Sequence, residues 1–233
     1  SQYNVQHMDM NGNSELAVPQ NTLGAELRQL ENKQWEQITL PHTPFVEPLT
    51  VLHQWQGICY YKKKITITPE EAKKHIWIEF EGAMHLADVW INGKHVMQHA
   101  GGYTPFVVDA TGLLKTDKEN ELLVRLDNRN NSLIPPGKPL ETLDFCYYGG
   151  IYRNVHLIAK ADVHITHPIL DGHPAGAGIF ITYPKVSQEL SVVDAKTEIK
   201  NTSDKEKVVE LRHTLYTWKK QKGKDKKVQN ISE

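Results

Sequence analysis

The stretch HIWIEFEGAMHLADVWINGKHVMQH, residues 75–99, decides the fold. Ile76, Ile78 and Phe80 alternate with Trp77 and Glu79, and a period of two puts successive side chains on opposite faces of a strand. ADVWINGKHVMQH repeats the pattern around Asn92-Gly93. Both residues of that pair tolerate positive φ, so they predict a two-residue hairpin. Working outward, ELLVRLDN (121–128) sets Leu122, Val124 and Leu126 on one face, with Leu123, Arg125 and Asp127 on the other. IYRNVHLIAKADVHI (151–165) predicts a further strand pair, Val155 and Leu157 sharing a face. Helical periodicity is scarce. PEEAKKH (69–75) runs from proline through acids to bases and reads as one short helical turn.

Turn residues punctuate these runs regularly: Pro69, Asn92-Gly93, Gly101-Gly102, Pro105, Gly112, Pro135-Pro136-Gly137 and Gly149-Gly150. Strands at such spacing predict an all-β sandwich or jelly roll. The first 55 or so residues are more polar and carry prolines, so they are expected to wrap the sandwich and not to form its centre. Composition shifts near Thr166, where HPILDGHPAGAG (167–178) reads as a domain junction. The expected division is 1–165 and 166–233. The second part offers three strand-like runs, GIFITYPKV, LSVVDAKTEIKN and KVVELRHTLYTWKK, with NTSDKEK as a polar hairpin connection between the last two. It reads as the opening of a second sandwich, cut short because an immunoglobulin-like domain needs on the order of 100 residues. The basic run KKQKGKDKKVQN is expected to be a solvated loop tip.

Of the 233 residues, 39% are hydrophobic and 24% charged, with a formal net charge of -1. That composition is globular, and it offers no global field to draw the chain to nucleic acid or to a membrane surface. Apolar runs are too short for a membrane helix. The opening SQYNVQHMDMNGNSEL has no signal-like n- or h-region; its start at serine mildly favours a processed or engineered N-terminus. Cys59 and Cys146 are expected to be free buried thiols, a single bridge being the alternative. P-loop, GxGxxG, GxSxG, HExxH and CxxC patterns are absent. His95 and His99 stand four apart in a predicted strand, a separation of about 13 Å that no single metal ion spans. No cofactor is expected.

The chemistry-bearing stretch is LDFCYYGGIYRNVHLI, residues 143–158. Asp144 precedes Phe145, Tyr147 and Tyr148, then Gly149-Gly150, then Tyr152 and Arg153. A carboxylate beside aromatic rings suits a sugar, since rings pack on C–H faces while the carboxylate accepts hydroxyl protons. The chemistry alone favours a structural corner, with Asp144 capping the turn and Arg153 paired to an acid, since aspartate is common in turns.

DFCYYGGIYRNVHL, HAGGYTPFVVDATGLL, IPPG, the WINGKHV hairpin and WEQITLPHTP resemble segments of the sugar-binding domain of family 2 glycoside hydrolases, in that family's order. GIFITYPKVSQELSVVDAKTEIKN resembles the entry to its immunoglobulin-like second domain. The resemblance implies a jelly-roll (galactose-binding-like) domain, an immunoglobulin-like domain and then a catalytic barrel that holds both catalytic glutamates. No residue of this chain is therefore expected to be catalytic, and the chain should be inactive alone. The partners implied are a β-linked oligosaccharide or glycoside and the barrel of the same polypeptide. Asp144 matches, by its place six residues before Gly150, the family aspartate that hydrogen-bonds the terminal sugar. Tyr147 and Tyr148 are candidates for the same edge, and Gly149, Gly150 and Arg153 for the scaffold of the corner. The wording YYGGIYRNVHL favours the β-galactosidase branch of retaining, exo-acting enzymes. The β-glucuronidase branch is the alternative, and a stand-alone carbohydrate-binding module is a reading of another class.

Overall fold

The structure is a computed structural model that describes residues 2–8, 35–44, 55–145, 147–173, 177–221 and 224–232. The chain divides into two compact units, Ser1–Ala161 and Asp162–Glu233.

The first unit is an all-antiparallel β sandwich. Its larger sheet takes β1 (Gln2–Met8), β2 (Glu36–Thr39), β3 (Ile58–Ile65), β5 (Leu86–Ile91), β6 (Lys94–Ala100) and β8 (Asn120–Asp127), in the order β2-β1-β3-β8-β5-β6. The smaller is β7-β4-β9, built from β4 (His75–Phe80), β7 (Phe106–Asp109) and β9 (Val155–Lys160). The alternation in β4 points Ile76, Ile78 and Phe80 into the core, against Cys59, Tyr61, Ala87, Val89, Ile91, Leu122, Val124 and Leu126 of the larger sheet. Phe80 stacks on Phe106 at 4.5 Å between ring centroids. Burying these side chains contributes about 1.5–3 kcal/mol for each large aliphatic or aromatic residue. Asn92 (φ 51) and Gly93 (φ 78) turn β5 into β6 as a two-residue hairpin. The short helical turn forms as a 3-10 turn at Glu71–Lys73. Thr68 and Glu71 cap it reciprocally, Thr68 N–H donating to Glu71 Oε2 at 2.8 Å and Glu71 N–H to Thr68 Oγ1 at 3.2 Å.

Several sequence expectations need correction. The opening segment does more than wrap: β1 lies between β2 and β3 and pairs with both. Both faces of β8 are covered. Leu123 is buried with Ile58, Tyr60 and Trp90, and Arg125 is 1% exposed. Arg125 is balanced there by Asp88 (3.6 Å) and Asp127 (3.5 Å), the pairing a buried charge requires. Strands β9 and β10 (Val163–Ile165) do not pair with each other; β9 pairs β4, while β10 pairs β13 (Ile199–Asn201).

In the second unit β11 (Ile179–Val186) pairs β12 (Ser191–Thr197), and β14 (Leu215–Gln221) pairs β15 (Lys224–Ser232). Residues 207–214 are not strand, so NTSDKEK does not close a hairpin. The basic run expected as a loop tip instead supplies much of the β14–β15 hairpin, because cross-strand backbone bonds form whatever the side-chain charge. Ile179, Ile181, Tyr183, Val186, Leu190 and Val193 are exposed on or between β11 and β12. Thr166 knots the start of the unit: its N–H donates to Glu198 O (3.1 Å) and its Oγ1 accepts from Gly178 N–H (2.8 Å).

Candidate functional site

The loop between β8 and β9 carries the candidate residues, and its two ends are held differently. At the far end, Gly150 has φ +95. A Cβ there would stand 2.5 Å from Tyr61 Oη and 2.7 Å from both His42 O and Pro44 Cδ. Tyr61 is fully enclosed; burial pushes its phenol well above the usual range, so it serves as a neutral hydrogen-bonding group. Its Oη accepts from Ile151 N–H at 3.3 Å and bonds His42 Nδ1 at 3.1 Å. His42 N–H donates to Ile151 O (2.8 Å), and Met84 N–H to Gly150 O (2.9 Å). The GG turn is therefore a junction of three chain segments, and only glycine fits its second position.

Gly149 packs against different neighbours. A Cβ there would lie 2.8 Å from Asn128 Nδ2 and 3.1 Å from Trp55 Cζ3. Tyr152 fixes the next residue's direction by donating its hydroxyl to Gly102 O, while the Gly102 segment is tied back through Gly101 N–H to His85 O at 2.9 Å. Arg153 is exposed and pairs with Glu81 at 3.7 Å. Glu81 also takes His156 (3.1 Å) and Asn154 (3.2 Å), and these contacts, His156 foremost, hold its carboxyl below the usual range. Arg153 is thus part of a surface clasp beside the corner.

The aromatic residues separate. Tyr147 is 5% exposed, packed with Met84 and Leu140 and edge-on to the His85 ring at 5.7 Å. Burial raises its phenol. Tyr148 is half-buried, and Phe145 is 43% exposed. Cys146 lies outside the described residues, and Cys59 is a free, buried thiol whose burial raises it well above the usual range. Asp144 is exposed and, among the described residues, neither caps the turn nor makes a hydrogen bond or ion pair. Next to it in the chain, Leu143 lines a shallow surface depression with Arg129, Asn130, Ile134, Leu140 and Tyr147 whose cavity volume is about 10 Å³, room for about one water molecule.

His95 and His99 serve separate purposes: His95 bonds Asp88 at 3.0 Å, and His99 stacks on Phe106 at 4.5 Å. Among the described residues no three metal-ligating side chains converge, and no helix is long and apolar enough to cross a membrane. Sequence reasoning did not reach Asn128, Asn130, Gln56, Tyr61 or His85, which frame the loop. The one available signal was the asparagine run in LDNRNN, which a local reading assigns to a turn.

The family model described as "Glycosyl hydrolases family 2, sugar binding domain" matches residues 7–161. A β-glucuronidase of Formosa agariphila is 32% identical over 190 residues, 76% of this chain and 19% of that protein. A β-glucuronidase of Bacteroides fragilis is 34% identical over 70% of this chain and 23% of its own length. A β-galactosidase of Thermoanaerobacter pseudethanolicus is 32% identical over 80% of this chain and 26% of its own. Among solved structures, a Bacteroides uniformis β-glucuronidase superposes with a TM-score of 0.63 at 28% identity, covering 86% of this chain and 22% of that one. The chain spans about a fifth to a quarter of the length of these curated relatives. With its sandwich, its GG corner and this match over most of its length, the chain belongs to glycosyl hydrolase family 2, of which it carries the sugar-binding domain.

Proposed function

We propose that this chain supplies one edge of the terminal-sugar subsite of a retaining, exo-acting β-glycosidase whose catalytic carboxylates lie in another domain of the same polypeptide. The substrate is a β-galactoside or a β-glucuronide. The observation that carries the reading is Asp144, an exposed carboxylate with unspent acceptor capacity on a loop pinned at both ends. A fixed carboxylate selects a sugar by accepting its hydroxyl protons, and such charge-assisted bonds are strong where water is excluded. The shallow depression lined by the adjoining Leu143 leaves the rest of the enclosure to a partner surface, in keeping with the share of the relatives' length that this chain covers. In this reading Tyr147 supports the loop from beneath and does not touch the sugar, while Tyr148 stands at its edge.

The test is hydrolysis of nitrophenyl β-galactoside and nitrophenyl β-glucuronide by the 233-residue chain and by the product of its uninterrupted reading frame. Turnover by the longer product alone is expected, and the preferred substrate assigns the branch. In that product Asp144→Ala should lower kcat/KM about 10²-fold, the effect of losing a charge-assisted bond of roughly 2.7 kcal/mol, and leave the melting temperature in place. Turnover by the short chain, or unchanged kinetics in the variant, would refute the reading. Measurable sugar affinity of the isolated chain would instead favour a stand-alone binding module.

A further inference from the structure

Three residues that follow β8 hold both ends of the Asp144 loop. Asn128, 1% exposed, accepts Gly57 N–H on Oδ1 at 2.8 Å and donates from Nδ2 to Trp55 O at 3.0 Å. The same amide lies against Gly149, at the far end of the loop. Asn130 Oδ1 accepts Gln56 Nε2–H at 2.7 Å and Leu140 N–H at 3.0 Å, at the near end. Between them Arg129 is clamped on the Asp127 carboxylate by Nε–H to Oδ1 (2.9 Å) and Nη2–H to Oδ2 (2.6 Å). That fork leaves the 128–130 backbone little freedom.

Leu140 opens the 3-10 turn Leu140–Thr142, and its side chain is buried with Tyr147 and Met84. The turn is closed by Thr142 Oγ1–H to Pro139 O at 2.7 Å. Its first backbone N–H finds its acceptor on Asn130, which ties the start of the segment leading to Asp144 to the end of β8.

We propose that Asn130 is a positioning residue for Asp144, with Gln56 as its brace: its amide oxygen sets the start of the loop as the Asn128–Gly149 contact sets the end. This rests on the reading of Asp144 as a sugar ligand. Displacing such a group by an ångström costs up to about 10²-fold in rate, so freeing one end of the loop should cost about tenfold.

The test is a double-mutant cycle in the reading-frame product, with the nitrophenyl glycoside that it cleaves. Asn130→Leu should lower kcat/KM about tenfold, whereas Asn130→Asp, which keeps the accepting oxygen, should stay close to the parent. In an Asp144→Ala background Asn130→Leu should cause no further loss. Equal loss in both backgrounds, or equal loss in the Leu and Asp variants, overturns the positioning role. If Asp144→Ala alone is silent, the sugar-ligand reading falls and the positioning role with it, an outcome the single variant identifies. Should Asn130→Leu fold poorly, Gln56→Leu removes the brace and must show the same dependence on Asp144. In the 233-residue chain, amide exchange at Leu140 should speed up in Asn130→Leu and not in Asn130→Asp; unchanged exchange would also overturn the proposal.

Discussion

Replacing Gly150 with alanine isolates the cost of the corner. The backbone there holds φ at +95, and a left-handed conformation costs an L-residue about 1–2 kcal/mol. The new methyl would also stand 2.5 Å from Tyr61 Oη and 2.7 Å from His42 O and Pro44 Cδ. None of these is the free end of a flexible side chain. Relieving such overlap in a packed site typically costs about 1–3 kcal/mol. The sum is about 2–5 kcal/mol, and a unit of this size loses about 2–4 °C per kcal/mol, so melting should fall by about 5–20 °C. Gly112→Ala provides the control: φ there is +72 and nothing lies within 4 Å of the added carbon. It should show the backbone part alone. Thermal unfolding followed by far-UV circular dichroism reads both variants. If Gly150→Ala melts with Gly112→Ala, the steric argument is wrong and the three-segment junction is looser than its distances imply.

Three further expectations concern the same unit. Burial holds the His85 imidazole below its ordinary value of 6.5, against the opposing pull of Asp127, so the unfolded chain takes up this proton first. Stability should be complete above about pH 6.5 and decline as the pH falls below it, a window above that of the depressed carboxylates Glu71 and Glu81. A pH series of melts should show a flatter slope between pH 7 and 5 in a His85→Gln, His99→Gln double variant, since His99 is depressed by burial as well; an unchanged slope would remove both from the account. Asp88→Ala removes one of the two carboxylates, Asp88 and Asp127, that balance the buried Arg125 and should cost about 3–5 kcal/mol in chemical denaturation, with no loss counting against a balanced buried pair. In a Cys146→Ser background the Cys59 thiol should resist a thiol reagent until the protein unfolds, and rapid labelling of the native protein would show that the core opens.

The elements legible in the sequence were those whose own side chains carry the signal. β4 and β8 each place a regular row of apolar residues on the core face, Ile76, Ile78 and Phe80 in one and Leu122, Val124 and Leu126 in the other, and Asn92-Gly93 sets its turn by local backbone preference alone. β1 was missed because QYNVQHM has little apolar content, and its place comes from backbone ladders to β2 and β3. The run 207–214 has the composition of a strand, yet no ladder forms there. β9 and β10 are separated by two residues, Ala161 and Asp162, and lie in different units, a division that a shared apolar pattern does not reveal. At the site, the position of Asp144 and the need for Gly150 could be read from one motif. The roles of Asn128 and Asn130 could not, because the partners that distinguish a bracket from a turn lie 71 and 74 residues earlier in the chain.

The junction at Gly150 also bears on how the molecule assembles. Ile151 reaches Tyr61 across 90 residues of sequence, and closing so long a loop is unfavourable until other contacts have already drawn its ends together. Segments 42–44, 61 and 150–151 can meet only when the two sheets have docked, so the corner should be among the last parts to order during folding. Changes there should accelerate unfolding and leave the folding rate nearly untouched. A peptide cut from residues 143–158 would not keep the bend, since its shape belongs to the assembled sandwich and not to its own sequence.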